Sequence, residues 1–528
     1  MFRSRLAAGI VLLLTAVASD SHARGESSVP NILFMMADDW GLHAGAYGTP
    51  WVSTPAFDKL ASDGLLFRQA YTPMAKCAPS RAITLTGRHL WQLEEAGNHM
   101  AVFPAKFKSW PEVLMERGWT VGITGKGWGP GIANDADGRP RLITGKPFNS
   151  RKMTPPATGM SNNDYAGNFA EFLDRAPADK PWCFWCGPAE PHRGYEYQSG
   201  VRKAGKSLSQ IDRVPDYWPD DEVVRHDMLD YAFEVEYVDQ HLGRMLAELK
   251  DRGLDENTVV IVTSDHGMPF PRAKGYAYDA SNHVPLAIRW PKGIEGSGRK
   301  VSDFVDFTDI APTILDVAGI DPAQSGMAAI TGSSWRPIFE SSKSGRVIAA
   351  RDHVLLGKER TDVGRPRDWG YPVRGIRTAE FLYLKNYEPS RWPAGNPETG
   401  YLDTDGSPTK TLILERGRQD RSDAFWQWNF GYRPVEELYD VNVDPDCTRN
   451  LASDEKFAEQ IASLRGRMEA ELRKQGDPRQ SGRGNVFDEY RPTNGAGFYE
   501  AWQRGEKPKA GWVEPTDFEP MPLQLPQP

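Results

Sequence analysis

The chain has 528 residues, 39% hydrophobic and 25% charged, with a formal net charge of -8. That length suits one large domain with a sizeable core plus a smaller one, and the composition is that of a soluble globular chain. The mildly acidic balance speaks against a nucleic-acid binder, which needs a basic face. Four cysteines, Cys77, Cys183, Cys186 and Cys447, exclude a disulfide scaffold.

The first 23 residues read as a secretory signal. Arg3 and Arg5 precede an apolar run over 6–18, and Ser21 and Ala23 offer small residues for cleavage before Arg24. A periplasmic or secreted chain follows from this. No later run of about 18 apolar residues announces a membrane span.

The apolar run 31–36 predicts a central strand with Asp38 and Asp39 at its tip. Residues 55–63 predict a short helix that starts on Pro55 and ends at Gly64. Residues 67–71 lead into a loop carrying Cys77, with a helix from Ser80 or later, closed by Gly87. A helix over 110–117 precedes a strand over 120–124, tipped by Gly125-Lys126-Gly127-Trp128. After a polar excursion over 135–161 comes a helix over 165–175. A buried strand over 182–187 follows, tipped by Glu190-Pro191-His192. Cys183 and Cys186 have redox-like or zinc-like spacing, but no second Cys or His pair completes a zinc set, and both read as core thiols. A basic loop spans 193–219. A long helix over 221–252 precedes a strand over 258–263, tipped by Asp265-His266. The repeat of helix, strand and polar tip is that of an α/β domain, which binds ligands beyond the carboxyl ends of its strands. After a helix over 309–315 the alternation weakens. Strands over 375–387 and 436–440 and a helix over 453–475 suggest an antiparallel appendage. The expected organisation is a catalytic domain over 24–370, a C-terminal subdomain over 371–476 and an extended Pro/Gly-rich tail over 477–528.

The strand tips carry chemistry. Adjacent carboxylates such as Asp38 and Asp39 repel unless a cation lies between them. Asp265 and His266 at another tip would complete an oxygen-rich set suited to a hard divalent ion. His192 is suited to general acid work near neutral pH.

Cys77-Ala78-Pro79-Ser80-Arg81, continued to Leu85-Thr86-Gly87, resembles the signature of the type I sulfatases, members of the alkaline-phosphatase superfamily. The segments around Pro191-His192-Arg193 and Ser264-Asp265-His266-Gly267 look like the N-sulfoglucosamine sulfohydrolase branch. The resemblance implies an alkaline-phosphatase-like fold: a large mixed sheet between helices, with a small C-terminal antiparallel sheet. It implies that a maturing enzyme converts Cys77 to formylglycine, whose hydrate is the covalent nucleophile. It implies one divalent ion, calcium in this family with magnesium or manganese open here, held by Asp38, Asp39, Cys77, Asp265 and His266. Arg81 would steady the nucleophile and the metal carboxylates, Lys126 and Lys274 would grip sulfate, with Arg272 a near competitor, and His192 would protonate the leaving atom. The substrate implied is a sulfated saccharide, heparan-like or algal. Trp128, Glu359, Arg360 and Arg374 are candidate pocket residues.

Two departures stand out. Trp128 occupies a position where many sulfatases carry a histidine that helps eject sulfate, and among nearby histidines His43, His89 and His99 have no motif behind them. Residues 279–285 differ from the family's common Gly-rich segment. The rival readings are a formylglycine-dependent phosphonate monoester or phosphodiester hydrolase, and a silent glycan-binding protein on the same scaffold.

Overall fold

The computed structural model describes residues 29–519. The expected signal segment, 1–23, and residues 520–528 lie outside the described residues. The large sheet comprises, in chain order, β1 (Asn31–Ala37), β2 (Leu65–Phe67), β3 (Thr120–Gly125), β4 (Lys146–Pro147), β5 (Trp182–Gly187), β6 (Thr258–Ser264), β7 (Leu286–Arg289) and β8 (Arg299–Val301). Their order in space is β8-β2-β7-β6-β1-β5-β3-β4. β1 pairs in parallel with β5 and β6, with Leu33 opposite Phe184 on one side and Val260 on the other. β7 alone runs against its neighbours, which makes the sheet mixed.

Past Asn31, β1 is apolar because helices cover both faces of the sheet. Leu33 and Met35 enter one layer with α1 (Pro55–Asp63), α4 (Tyr165–Arg175) and α5 (Glu222–Asp251). Ile32, Phe34 and Met36 enter the other, with α2 (Cys77–Thr86), α3 (Trp110–Glu116) and α6 (Ile310–Val317). Cys183 and Cys186 divide between the same two layers and are free thiols, which burial pushes well above their usual pKa. α5 is capped by Asp221, which accepts from Val223 N–H at 2.8 Å. Its buried Asp239 accepts from the N–H groups of Ala56 and Phe57 at 2.9 and 2.8 Å, so one helix caps the start of another.

The second sheet is antiparallel and sequential: β9 (His353–Lys358), β10 (Val373–Thr378), β11 (Phe381–Asn386) and β12 (Glu436–Asp440). β9 was not expected from the sequence, and the strand read over 375–387 is two strands joined by a turn. Between β11 and β12 lie α7 (Pro408–Gln419) and α8 (Ala424–Phe430), and α9 (Ala458–Lys474) packs Ile461, Leu464 and Met468 against this sheet's Ile376, Tyr383 and Leu438. From Asp477 the chain runs over the body as loops and short helical turns. Trp512, Val513 and Phe518 pack on a small cluster with Val363 and Leu402. Among the described residues, no helix is long and apolar enough to cross a membrane.

Candidate active site

Four parallel strands, β1, β3, β5 and β6, end at one crevice, and each delivers a side chain there. β1 delivers Asp38 and Asp39. Asp39 has φ 69°, a left-handed conformation that costs a non-glycine residue about 1 kcal/mol or more. The turn brings both carboxylates into one site instead of sending them to opposite faces. Asp39 N–H donates to Asp265 Oδ1 at 3.0 Å and Trp40 N–H to Ser264 Oγ at 2.7 Å, so the tips of β1 and β6 lock together.

α2 begins at Cys77, a turn earlier than the sequence suggested. Ser80 N–H donates to the Lys76 carbonyl at 3.0 Å, and Pro79 falls in the first turn, where its missing N–H has no intrahelical partner. Gly87 closes the helix with φ 68°. Every residue of α2 is buried, and Ser80 Oγ donates to the Asp265 carbonyl at 2.6 Å, pinning the Cys77 segment to the β6 tip.

Cys77 Sγ lies 3.5 Å from His266 Nε2. Potential ligand atoms of Asp39, Cys77 and His266 all fall within 4.8 Å of one another, and so do those of Asp38, Cys77 and Asp265. Arg81 spans the carboxylates, with Nε 2.9 Å from Asp265 Oδ2 and Nη2 3.2 Å from Asp38 Oδ1. Its Nη1 donates to the carbonyls of Lys126 and Gly127 at 3.1 and 3.0 Å. Lys126 Nζ reaches both oxygens of Asp38, at 2.8 and 2.6 Å. A side chain on Gly187 would put a Cβ 1.8 Å from the Lys126 carbonyl, so glycine there lets the β3 and β5 tips close. Lys274 Nζ bridges Asp39 Oδ2 and Asp405 Oδ2, 2.6 Å from each. His192 Nε2 is 4.0 Å from Asp39 Oδ2, on the open side of the crevice.

The electrostatics are those of a cation site. Burial raises the Asp39 carboxyl, but Lys274 and then His266 overcome it and hold it well below the usual carboxylate range. Burial likewise raises Asp38, and Lys126 and Arg81 more than reverse it. For Asp265, burial wins: neither His266 nor Arg81 fully offsets it. Burial lowers His266, yet the charges of Asp265 and Asp39 raise it well above an ordinary imidazole. Surroundings that draw a proton onto a fully buried ring favour any cation. Asp39 Oδ1 is buried, 2.9 Å from His266 Nε2, and has no donor aligned on it. That orphaned oxygen, with the oxygens of Asp38 and Asp265 and the imidazole beside it, fits a hard divalent ion.

Glu359, Arg360 and Arg374 are buried to 1% exposure or less. Arg374 pairs with Asp477 and Glu359, and Glu359 also with Arg479, which holds the second sheet to the C-terminal segment; Arg360 donates to the His99 carbonyl at 2.8 Å. Arg272 spends its guanidinium on the carbonyls of Trp428 and Cys447, which leaves Lys274 as the cation of that segment in the site. Trp128 is half buried and donates its indole N–H to the Ala78 carbonyl at 2.9 Å. His43 packs on Tyr231, and burial pushes it down to about 4; His89 stacks on Trp91. His99 lies 3.7 Å from Asp362, which also pairs with Lys76 at 3.3 Å. Sequence reasoning missed Asp405, the second anchor of Lys274: it follows Lys274 by more than a hundred residues and carries no motif.

A family model for sulfatases matches residues 30–320, more than half of the chain. Human N-sulphoglucosamine sulphohydrolase is 28% identical over 471 residues, covering 83% of this chain and 89% of that protein. An ulvan-active sulfatase of Formosa agariphila is 25% identical over 496 residues, covering 85% and 75%. A structure solved in complex with its substrate D-glucosamine-2-N,6-O-disulfate superposes with a TM-score of 0.59 at 19% identity, over 85% of this chain and 98% of that one.

Proposed function

The chain belongs to the sulfatase family and is a sulfuric ester hydrolase of alkaline-phosphatase-like fold, and on that footing we propose that it is exported and strips sulfate from glycans, as esters or N-sulfates, with a nucleophile made from Cys77. The observation that carries this reading is the position of Cys77 Sγ, shared by two buried sets of potential ligands, Asp39 with His266 and Asp38 with Asp265. Two relatives, one named for N-sulphoglucosamine and one for activity on ulvan, support a saccharide substrate.

In this reading Asp38, Asp39, Asp265, His266 and converted Cys77 hold a divalent ion, with calcium first among the candidates. When bound, it supplies positive charge toward the sulfate oxygens and the nucleophile. The cysteine sulfur marks where the hydroxyls of hydrated formylglycine belong. Lys126 and Lys274 flank that point and stabilise charge on the sulfuryl oxygens as the bond to the leaving atom lengthens. Arg81 acts as a brace: through Asp38, Asp265 and two backbone carbonyls it fixes the geometry of the strand tips. His192, on the solvent side, donates its proton to the departing sugar oxygen or nitrogen.

Mass spectrometry of the peptide containing Cys77, beside sulfate release from glucosamine N-sulfate, O-sulfated saccharides and a phosphonate monoester, tests this. The expected result is a formylglycine mass, sulfate release by the wild type and none by Cys77→Ala. An active preparation with unmodified Cys77, or a faster rate on the phosphonate, overturns it.

A further inference from the structure

Beyond His192 the crevice continues into a cavity of about 620 Å³. Four distant stretches wall it: the loop after β5, the first turns of α5, the start of α7, and the C-terminal segment around Trp512. Its lining holds fewer cations than the sulfate end, where Arg81, Lys126 and Lys274 meet the carboxylates of Asp38, Asp39, Asp265 and Asp405. On one side of His192 stand Arg81, Lys126 and Lys274. On the other, the one lysine or arginine in the lining is Arg193, and it is spent: Asp227 meets it with two contacts, at 2.5 and 2.8 Å. Glu415 and Glu514 also line the cavity, both are exposed, and among the described residues neither forms an ion pair. Tyr197 is 44% exposed on one wall and Trp512 half buried on another. Flat aromatic faces beside carboxylates suit a sugar ring with hydroxyl or amine donors; a second anion there would meet like charge.

The tail wall is fixed in place. Gly406 N–H donates to the Trp512 carbonyl at 2.7 Å, Trp512 Nε1 donates to the Leu402 carbonyl at 2.9 Å, and Lys410 pairs with Asp517 at 3.0 Å with both side chains buried.

Resting on the sulfatase reading above, we propose that this cavity is the leaving-sugar subsite and that it selects a ring carrying no second anion, with Trp512 and Tyr197 holding the ring and Glu415 and Glu514 rejecting further sulfate or carboxylate. The reaction thus acts on the last sulfate of a ring: hydrolases that remove other sulfates from that ring must act first.

The test compares kcat/KM for glucosamine N-sulfate and for D-glucosamine-2-N,6-O-disulfate, with the corresponding O-sulfated pair as a second series. The wild type is expected to favour the monosulfated member by about tenfold or more, the ratio that about 1.4 kcal/mol of repulsion produces. The double variant Glu415→Gln, Glu514→Gln is expected to erase most of that preference, read as the ratio of the two kcat/KM values within that one preparation. Trp512→Ala is expected to raise KM and leave kcat. Equal or reversed wild-type preference, or a preference untouched in the double variant, overturns the proposal. Because it is a ratio within one preparation, partial misfolding does not mimic it. Should no saccharide release sulfate, the sulfatase reading of the site fails separately. Tryptophan fluorescence titration with glucosamine and glucosamine 6-sulfate then still decides the subsite, which requires tighter binding of the unsulfated sugar in wild type and loss of that preference in the double variant.

Discussion

Replacing Arg374 with methionine separates a structural from a substrate-binding charge. Arg374 is fully buried; Nε lies 2.8 Å from Asp477 Oδ2, Nη2 2.8 Å from Glu359 Oε1, and its guanidinium sits 5.1 Å from the ring centre of Trp91. Methionine retains much of the stem, so the dominant loss is electrostatic. Glu359 keeps Arg479, at 2.8 and 2.6 Å, but Asp477 loses its ion-pair partner inside the protein. Removing one partner of a buried pair costs about 3–5 kcal/mol. An unfolding entropy of about 2.1 cal/mol/K per residue over roughly 500 residues is about 1 kcal/mol/K, so the apparent Tm is expected to fall by about 3–5 °C. Circular dichroism melts supply the first readout and saccharide kinetics at 25 °C the second, where KM is expected to stay within about twofold. Replacing Asp477 with leucine as well should recover part of the loss, since no carboxylate then remains unpaired. An unchanged Tm together with a raised KM would refute this reasoning and return Arg374 to the substrate.

Lys126→Met is expected to lower kcat by about 10²–10³, the usual loss when one donor to a developing anion is removed, with KM changed much less; steady-state kinetics on a single sulfated sugar measures it. Chelation followed by dialysis should abolish activity and lower Tm. Calcium at about 100 times its Kd should restore roughly 2.7 kcal/mol of stability, read as a concentration-dependent melt, and a melt indifferent to every divalent ion counts against the metal set. Burial lowers His353, but Glu471 at 2.8 Å and Asp352 at 2.9 Å overcome it and raise its pKa. Its stabilisation is therefore complete below about pH 6.5 and fades as pH rises through the raised folded-state value. His353→Gln should thus destabilise most at about pH 6 and approach the wild type at about pH 9 in urea titrations.

The sequence made visible whatever is local. β1, β5 and β6 announce themselves as unbroken apolar runs with polar tips, because both faces of a central strand are covered. The short strands Leu65–Phe67, Leu286–Arg289 and Arg299–Val301 lack that signal: a few apolar residues fit a helix or a loop equally well. α2 begins at Cys77, ahead of the expected Ser80, and Pro79 does not prevent it because proline is harmless in a first turn. The least legible features are pairs joined across the chain. Glu359, Arg360 and Arg374 looked like pocket charges because their partners, among them Asp477 and Arg479, lie about a hundred residues on in a segment read as a tail. Asp405 was missed for the same reason.

That long-range pairing bears on how the site is built. Asp39 needs a counter-charge at Oδ2, and Lys274 provides it from 2.6 Å; but Lys274 is itself buried and is held on its other side by Asp405. The next residue, Gly406, donates its N–H to the carbonyl of Trp512. A continuous series of contacts thus runs from the tip of β1, through Lys274 and Asp405, into the last described segment. A chain cut after residue 320 would keep the whole stretch that matches the family and every residue of the Cys77 signature. It would lose Asp405, leaving a buried lysine with half its neutralising charge, and lose Trp512 from the cavity wall. The Cys77 signature is encoded locally, while the charge balance around it is closed by residues from the far end of the chain.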